Sequence, residues 1–485
     1  MTSLSLRPLG YLEKYQVSKQ LVDVYGTVAL TIRIHDAELS SFRAFTEREQ
    51  YLRSRFYPIL RSLCSEFAHL TIGVIDLDTP TPRFAGLKEI DLSRVISARE
   101  IPFTDPCKLS SYLEAEKREI FDLSDLTMPL WRIRILLDPI CPADFVLSFS
   151  FDHVIADGLS SLALCQRLLA ISSAIKPSTE MSPLFHPTHP TTLPSPLNDR
   201  VSLKPGVLDL FPILIRSKFL PSYIKRWLSP PFWAGHVPAR REPHCTRCLV
   251  FSVPRDPFNR LCDRAKKERT TPHAALYVAC LLGLLETLEA FSSKYPQQSP
   301  PITFRSNTVV SARNYLNPPL ASRELGNFVG SVSIDKTFST FSTAPLYSRF
   351  WPECRDYKQM VEHLRPSAIK ETGLLAYLGR FPDNWIQFWV DPLESKGDAS
   401  MGRRASFEIS DLGRAKFEQG EWNVVEGWFS QSVQVTGATL YLNFVSIAEG
   451  LGGTLTWQEG SCDEAFLRAF ITRYTEILEE VVAIA

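Results

Sequence analysis

The sequence predicts an α/β fold built as two sandwich-like lobes with mixed sheets. Three observations support this prediction. The chain has 485 residues, which is more than one ordinary hydrophobic core holds. Strand-like and helix-like segments alternate in both halves without strict strand–helix–strand repetition. Between the halves, residues 177–245 contain 13 of the 35 prolines, a density typical of a crossover linker.

We therefore expect an N-terminal lobe over residues 1–176, a linker over 177–245 and a C-terminal lobe over 246–485. In the first lobe, runs rich in β-branched and aromatic residues predict strands, and apolar residues three and four positions apart predict helices. The expected strands are Val24–Ile34, His69–Asp76, Trp131–Leu137 and Phe145–Phe151. The expected helices are Ser41–Phe67, Leu109–Phe121 and Leu159–Ala174.

The second lobe repeats this style of alternation. We expect strands at Cys248–Pro254, at Thr303–Arg313 and twice within Val433–Gly460, and helices at Pro257–Lys267, Thr271–Phe291 and Asp463–Val482. Thr271 is a good N-cap and Pro272 suits the first helical position. The apolar residues of this helix are nearly continuous, which predicts a buried core helix.

Composition excludes several classes of protein. Basic and acidic residues number 53 each, so nothing suggests a nucleic-acid partner. The N-terminus lacks the apolar core of a signal peptide, and no run of about 18 apolar residues predicts a membrane span. Ten scattered cysteines indicate reduced thiols and a cytoplasmic protein. Cys245 and Cys248 form one C-x-x-C, but no second pair completes a zinc site, so we favour a chance pair and expect no metal.

The linker contains an apolar and aromatic segment, Val207–Trp233, with four basic residues. One interpretation is an interfacial segment that contacts a membrane, such as the endoplasmic reticulum, or a lipid droplet. The other is a broken helix packed over the junction of the lobes. Four prolines interrupt the segment, and they favour the second interpretation.

The most informative motif lies between Ser148 and Ser161 and reads SFSFDHVIADGLSS. A strand-like run ends at His153, Asp157 follows four residues later, and Gly158 opens a helix-like segment. An imidazole titrates near neutral pH, so a histidine at a strand end is well suited to act as a general base. The alternative is a hydrogen-bonded core histidine. The strand before the motif and the helix after it favour the catalytic interpretation.

With its neighbouring segments, this H-x-x-x-D-G motif resembles the fungal alcohol acetyltransferase family. That family belongs to the CoA-dependent acyltransferases, which include plant acyltransferases, chloramphenicol acetyltransferase and peptide-synthetase condensation domains. The other similar segments, in the family's order, are Arg7–Tyr15, Arg269–Leu281, Val309–Leu316, Leu325–Ser331, Ser410–Gly413, Trp428–Ser432 and Leu451–Gly460. The D-F-G-W-G motif of the plant branch is missing from the sequence, which favours the fungal branch.

The resemblance implies two chloramphenicol-acetyltransferase-like lobes that meet at a channel, with His153 midway. Acyl-CoA, most simply acetyl-CoA, would enter from one face as co-substrate and the acceptor from the other, with no bound cofactor. The carboxylate of Asp157 would pair with Arg313 and hold the motif loop, although a helix N-cap is the alternative role. Gly158 would allow a close backbone approach or a positive φ.

Two further residues are candidates for contact with the substrates. The side chain of Asn327 could hydrogen-bond near the channel, or the residue could form a turn. Ser432 is a candidate oxyanion donor, by analogy with the resembling families. The sequence does not indicate which basic residues would meet the CoA phosphates.

The function that follows is an O-acyltransferase of ester biosynthesis in fungal secondary metabolism, acting as a monomer on a small alcohol or a secondary-metabolite hydroxyl. One alternative is N-acetylation of an amine such as a sphingoid base. A second is a carrier-protein-dependent condensation enzyme. A third is a binding protein that has lost catalysis, but His153, Asp157 and Gly158 are all present and oppose it.

Overall fold

The computed structural model describes residues 4–177, 182–188, 193–202, 231–240, 242, 245–321, 324–394, 400–418, 420–448 and 450–483. The predicted interfacial segment Val207–Trp233 lies outside these residues except for its last three positions. Most of the predicted linker lies outside them as well, so the three-region division of the chain stays a prediction.

The described part of the first half alternates strands with helices. Its elements are β1 (Leu4–Pro8), α1 (Tyr11–Gln20), β2 (Val28–Asp36), α2 (Phe45–Glu66), β3 (Ile72–Ile75), β4 (Arg83–Gly86), β5 (Ile90–Asp91), α3 (Leu92–Val95), β6 (Ile96–Glu100), α4 (Pro106–Arg118), β7 (Trp131–Leu137), β8 (Asp144–Phe151), α5 (Gly158–Ser172), β9 (Leu184–Phe185) and α6 (Leu197–Arg200).

The described part of the second half also alternates strands with helices. Its elements are β10 (Thr246–Pro254), α7 (Arg255–Lys267), α8 (Pro272–Ala290), β11 (Ile302–Ser311), β12 (Val329–Phe338), α9 (Ala344–Ser348), α10 (Phe350–Glu371), α11 (Asp383–Glu394), β13 (Ala405–Arg414), β14 (Trp422–Gln431), β15 (Ala438–Ile447), β16 (Gly450–Gln458) and α12 (Glu464–Glu480). The predicted elements are present with ends shifted by a few residues. Among the elements that the sequence pattern did not predict are α1, β6, α10, α11, β12, β13 and β14.

Two mixed sheets organise the molecule, which confirms the predicted α/β class. The first has five strands in the order β14-β2-β8-β7-β6, and the second has six in the order β10-β16-β15-β13-β11-β12. In the first sheet only β6 and β7 are parallel. In the second, β13 is parallel to both of its neighbours. Small antiparallel sheets, β1-β4-β3 and β5-β9, lie outside these two.

Strand β14 joins the two halves of the chain. It lies between β13 and β15 in sequence, yet it pairs antiparallel with β2, with Gln431 opposite Val28 and Trp428 opposite Thr31. Its side chains therefore reach both interiors. Phe429 belongs to the core under the first sheet, while the amide of Gln431 bonds Asn443 of β15 in the second. Any site near the end of β14 is thus built from both halves.

Two large apolar cores lie against these sheets. The first contains Phe56 of α2, Trp131 of β7 and Phe151 of β8. The second surrounds α8, which packs against α12. By length and mean hydropathy α8 could cross a membrane, but 78 % of its apolar window is buried inside the protein. The predicted role of α8 as a buried core helix is confirmed.

Candidate active site

His153 lies where strand β8 ends. Every residue of β8 is buried, because β2 and β7 flank the strand. Asp152 then turns the chain: its amide donates to Leu130 at 2.9 Å, and its carboxylate accepts from the Val154 amide at 2.8 Å. Helix α5 starts at Gly158, so a short loop, tied at both ends, carries the imidazole.

The imidazole has defined neighbours on one side. Nδ1 lies 3.3 Å from the side-chain nitrogen of Asn327, and that nitrogen donates to the His153 carbonyl at 3.3 Å. The backbone carbonyls of His153 itself and of Ala156 favour a proton on the ring. Carbonyls only accept, so we assign the imidazole proton to this side, at Nδ1. Nε2 then carries the lone pair and can accept a proton from a substrate.

His153 is neutral at physiological pH. Burial, and after it the nearby ammonium of Lys19, lower the pKa of His153 to about 4, against a smaller opposite effect of Asp157. A general base must be unprotonated before the reaction starts. This environment supplies the base in the required form, and it excludes a resting imidazolium.

Asp157 and Arg313 form a bidentate ion pair. The two guanidinium nitrogens of Arg313 donate to the two oxygens of Asp157 at 2.8 and 2.7 Å. The carboxylate also accepts from the amides of Ser160 at 2.8 Å and Phe328 at 3.0 Å. Burial alone would raise the pKa of Asp157, but Arg313 and the two amides outweigh it and hold that pKa below its usual value. Both predicted roles, ion pair and helix N-cap, are present together.

The same loop is held by the turn before β12. The Asp157 amide and the Ser160 hydroxyl both donate to the Gly326 carbonyl, at 3.0 and 2.9 Å. Asn327 follows directly and is 4 % exposed, and its Oδ1 is buried without a hydrogen-bond partner in the described residues. The predicted contact of Asn327 beside the imidazole is present.

Gly158 meets the second half of the chain at close range. A Cβ at this position would lie 2.6 Å from Cδ2 of Leu412 and 2.9 Å from Cζ of Phe429. Gly158 is also the first residue of α5, with a helical backbone. Of the two explanations that the sequence allowed, the structure supports the close approach and not a positive φ.

Ser432 occupies a different position from the one its predicted role requires. Its hydroxyl accepts from the Thr27 amide at 2.8 Å and donates to the Thr27 carbonyl at 3.0 Å. Its proton is therefore committed to a backbone carbonyl. In this structure Ser432 connects the end of β14 to the start of β2, and its hydroxyl proton is not free to stabilise an oxyanion.

The structure also places charged side chains near His153 that the sequence did not indicate. Lys19 of α1 interacts electrostatically with His153, and also with Asp152 and with Glu408 of β13. Asp152 could have been suspected from its position before His153. Lys19 and Glu408 carry no local signal, because a charged residue in a helix or strand usually faces solvent.

No metal site accompanies these residues in the part of the chain that the structure describes, where no group of three His, Cys, Asp or Glu side chains could hold an ion. Cys245 and Cys248 are free, buried thiols. Burial raises the pKa of both thiols, which keeps them protonated.

Comparison with known proteins gives a consistent result. The family model described as "Alcohol acetyltransferase" matches residues 105–474, well over half of the chain. The chain is 25 % identical to the probable alcohol acetyltransferase crmB of Aspergillus fumigatus, over 86 % of this chain and 88 % of the relative. It is 21 % identical to the probable alcohol acetyltransferase FCK4 of Fusarium pseudograminearum, over 81 % and 79 %.

Solved structures support the fold. The trichothecene 15-O-acetyltransferase TRI3 of Fusarium sporotrichioides superposes with a TM-score of 0.70 at 14 % identity, covering 98 % of this chain and 95 % of that one. The first condensation domain of the CDA synthetase superposes with a TM-score of 0.56 at 12 % identity, covering 100 % and 98 %. At these identities the likeness concerns the fold alone.

Proposed function

The chain belongs to the alcohol acetyltransferase family, and from that premise we propose that it transfers acetyl from acetyl-CoA to the hydroxyl of a small alcohol or an oxygenated secondary metabolite. The family uses acyl-CoA as co-substrate; the choice of acetyl and the absence of any bound cofactor belong to the proposal. The observation that carries it is the neutral His153 on a loop locked at both ends.

The reaction needs one proton shuttle. Nε2 of His153 takes the proton from the acceptor hydroxyl as its oxygen attacks the thioester carbonyl carbon. The tetrahedral intermediate then collapses, the C–S bond breaks, and the imidazolium returns the proton to the departing CoA thiolate. Ester and free CoA are the products, and His153 is restored. General-base assistance of this kind contributes about 10²–10⁴-fold to the rate.

Asp157 and Arg313 are positioning residues in this scheme. Their charges satisfy one another, and the carboxylate points to Arg313 and two backbone amides, so it takes no proton from the substrate. The side-chain nitrogen of Asn327 donates to the His153 carbonyl and so helps to hold the loop that carries the imidazole. Preorganised geometry lowers the activation barrier because the base does not have to find its orientation during the reaction.

We also propose a cytoplasmic protein, since all ten cysteines are free thiols. Monomeric state remains part of this proposal. Peripheral contact with a membrane or lipid droplet rests on the sequence of Val207–Trp233 alone. A flotation assay with and without that segment tests it: vesicle association that is lost on deletion would support the membrane contact, and no association of the full chain would support the packed, broken helix.

The test of the function is a release assay. Purified wild type and His153→Ala are incubated with acetyl-CoA and a panel of alcohols and amines, and free thiol and product mass are followed. We expect alcohol-dependent release that falls by about 10²–10⁴-fold in a folded His153→Ala. Release with amines but not with alcohols would favour N-acetylation. Full activity in a folded His153→Ala would refute the general-base role.

A further inference from the structure

Three elements contribute charged groups to the electrostatic surroundings of Lys19, which in turn acts on His153. Lys19 comes from α1, Asp152 from the end of β8 and Glu408 from β13 of the second sheet. Tyr25 connects them to the imidazole, because the centroid of its ring lies 6.2 Å from that of His153. These residues take no part in the proton shuttle.

Lys19 is buried without an anionic partner. The residue is 3 % exposed, and its ammonium lies 3.9 Å from the ring centroid of Tyr25 and 5.0 Å from that of Tyr15. Within the described residues the ammonium has no hydrogen bond or ion pair. It is not among the buried polar atoms sealed from water, whereas the ammonium of Lys117 is. The Lys19 ammonium therefore keeps some accessible surface.

Glu408 reaches the same region from the opposite lobe. Its Oε1 accepts from the side-chain nitrogen of Gln431 at 3.1 Å, and the side-chain oxygen of Gln431 accepts from the Tyr25 hydroxyl at 3.4 Å. The second carboxyl oxygen has no partner in the described part of the chain, and it too is not sealed from water. One carboxyl oxygen of Glu408 thus lacks a hydrogen-bond donor, and the ammonium of Lys19 lacks an acceptor.

Leaving such groups unpaired in the interior is costly. A buried charge is ordinarily paired or hydrogen-bonded, because transfer from water is strongly unfavourable. Here the opposite charges interact through space, and burial lowers the pKa of Lys19 to about 7 while raising that of Glu408. A ligand group that accepts from the ammonium and donates to the carboxyl group would satisfy both.

The sign of the charges selects the chemistry of that group. A carboxylate would be opposed by Glu408 and Asp152, and an ammonium by Lys19 and Arg404. A hydroxyl carries no charge and both donates and accepts, so it fits a cation–anion pair. The hydroxyl acetylated at His153 cannot fill this role, since its proton is taken by the imidazole.

We propose that Lys19 and Glu408 bind a second hydroxyl of the acceptor, so that the preferred acceptor is a diol or polyol and not a simple alkanol. This inference rests on the proposed O-acetyl transfer. Tyr25 and Gln431 hold the two charged groups in place, and specificity arises because an alkanol leaves both groups unsatisfied.

The experiment compares matched pairs of acceptors, such as hexan-1-ol with hexane-1,2-diol and hexane-1,3-diol, by kcat/KM for CoA release with acetyl-CoA. We expect wild type to prefer at least one diol by about tenfold or more, because a site built to bond a hydroxyl rejects the analogue that lacks it. Lys19→Met and Glu408→Met should each reduce that ratio to within about twofold. Using the ratio removes any general loss of activity in a variant.

Lys117→Met is the matched control. Lys117 is likewise buried and lacks a hydrogen-bond partner in the described residues, but its neighbours are Glu116 and Arg132 and not the groups around His153. It should keep the wild-type ratio. Acetyl transfer without a preference for any diol, or a preference that survives both substitutions in folded protein, would overturn the inference alone. Absence of transfer to every alcohol would overturn the proposed function itself.

Discussion

Replacement of Asp157 by Asn should remove most of the hydrogen bonds that connect the carboxylate of the motif loop to the second half of the chain. The change is isosteric and removes the negative charge. An Asn oxygen can still accept from the Ser160 amide, because Asn and Asp cap helices equally well. The bidentate bonds to Arg313 cannot both be kept, and the buried Phe328 amide, which bonds the other carboxylate oxygen, loses its acceptor.

The magnitude follows from the burial of this pair. Asp157 is 1 % exposed, and the Arg313 side chain is 19 % exposed. Removing one partner of a buried ion pair leaves an uncompensated charge and costs about 3–5 kcal/mol. We expect Asp157→Asn to lower the free energy of unfolding by about that amount, with Arg313→Gln in the same background restoring part of it through coupling.

The assay is urea unfolding followed by tryptophan fluorescence, with a matched control at Asp105. Asp105 also caps a helix, accepting from the Cys107 amide at 2.8 Å, but it is exposed and has no ion-pair partner in the described residues. Asp105→Asn should change the stability by less than about 0.5 kcal/mol. The difference between the two variants isolates the ion pair from the cap.

A clear result would contradict this reasoning. If Asp157→Asn lost no more stability than Asp105→Asn, the ion pair would contribute nothing, and the role of Asp157 would reduce to that of a cap. The same conclusion would follow if Asp157→Asn and Arg313→Gln had strictly additive effects, since residues in direct contact should couple.

Three further predictions concern the same loop and its neighbours. Neutral His153 is the active form and its pKa is about 4, so kcat should fall only as pH drops toward about 4 and not near 6.5; an acid limb near 6.5 would contradict the burial of the base. Gly158→Ala should cost about 1–3 kcal/mol in urea unfolding through overlap with Leu412 and Phe429, and an unchanged midpoint would mean that the helix start shifts freely. Ser432→Ala should lower stability by about 1–3 kcal/mol because it leaves the Thr27 amide unpaired, with kcat nearly unchanged; a loss of about 10²–10³-fold in kcat would instead establish the oxyanion role.

The histidine of the site carries a linked effect on stability. An unfolded chain binds a proton at His153 near its ordinary pKa of about 6.5, whereas the folded protein does so only at about 4. Between these values the unfolded state binds more protons, so the contribution of His153 to folding weakens as pH falls through that window.

Several features could be predicted from the sequence because they are local. The apolar run of β8 and the apolar spacing of α5 are periodic within a single segment, and the motif places His153 between them. The family resemblance then predicted an ion pair between Asp157 and Arg313, which lie more than 150 residues apart, and the 2.7 Å contact confirms that pairing. For α8, composition was sufficient to predict burial, because its apolar residues are nearly continuous.

Only the tertiary structure decided the rest, because the rest depends on contacts between distant segments. The pairing of β14 with β2 leaves no periodic signal in either strand, yet it commits Ser432 to Thr27 and so removes a predicted oxyanion donor. Lys19 and Glu408 likewise look like ordinary charged residues until α1 and β13 bring them into electrostatic range of each other, and Lys19 into range of His153. The candidate general base could be named from the sequence by itself, whereas the surroundings that set its charge and that would select its acceptor come from folding, since burial and charge–charge distances exist only in three dimensions.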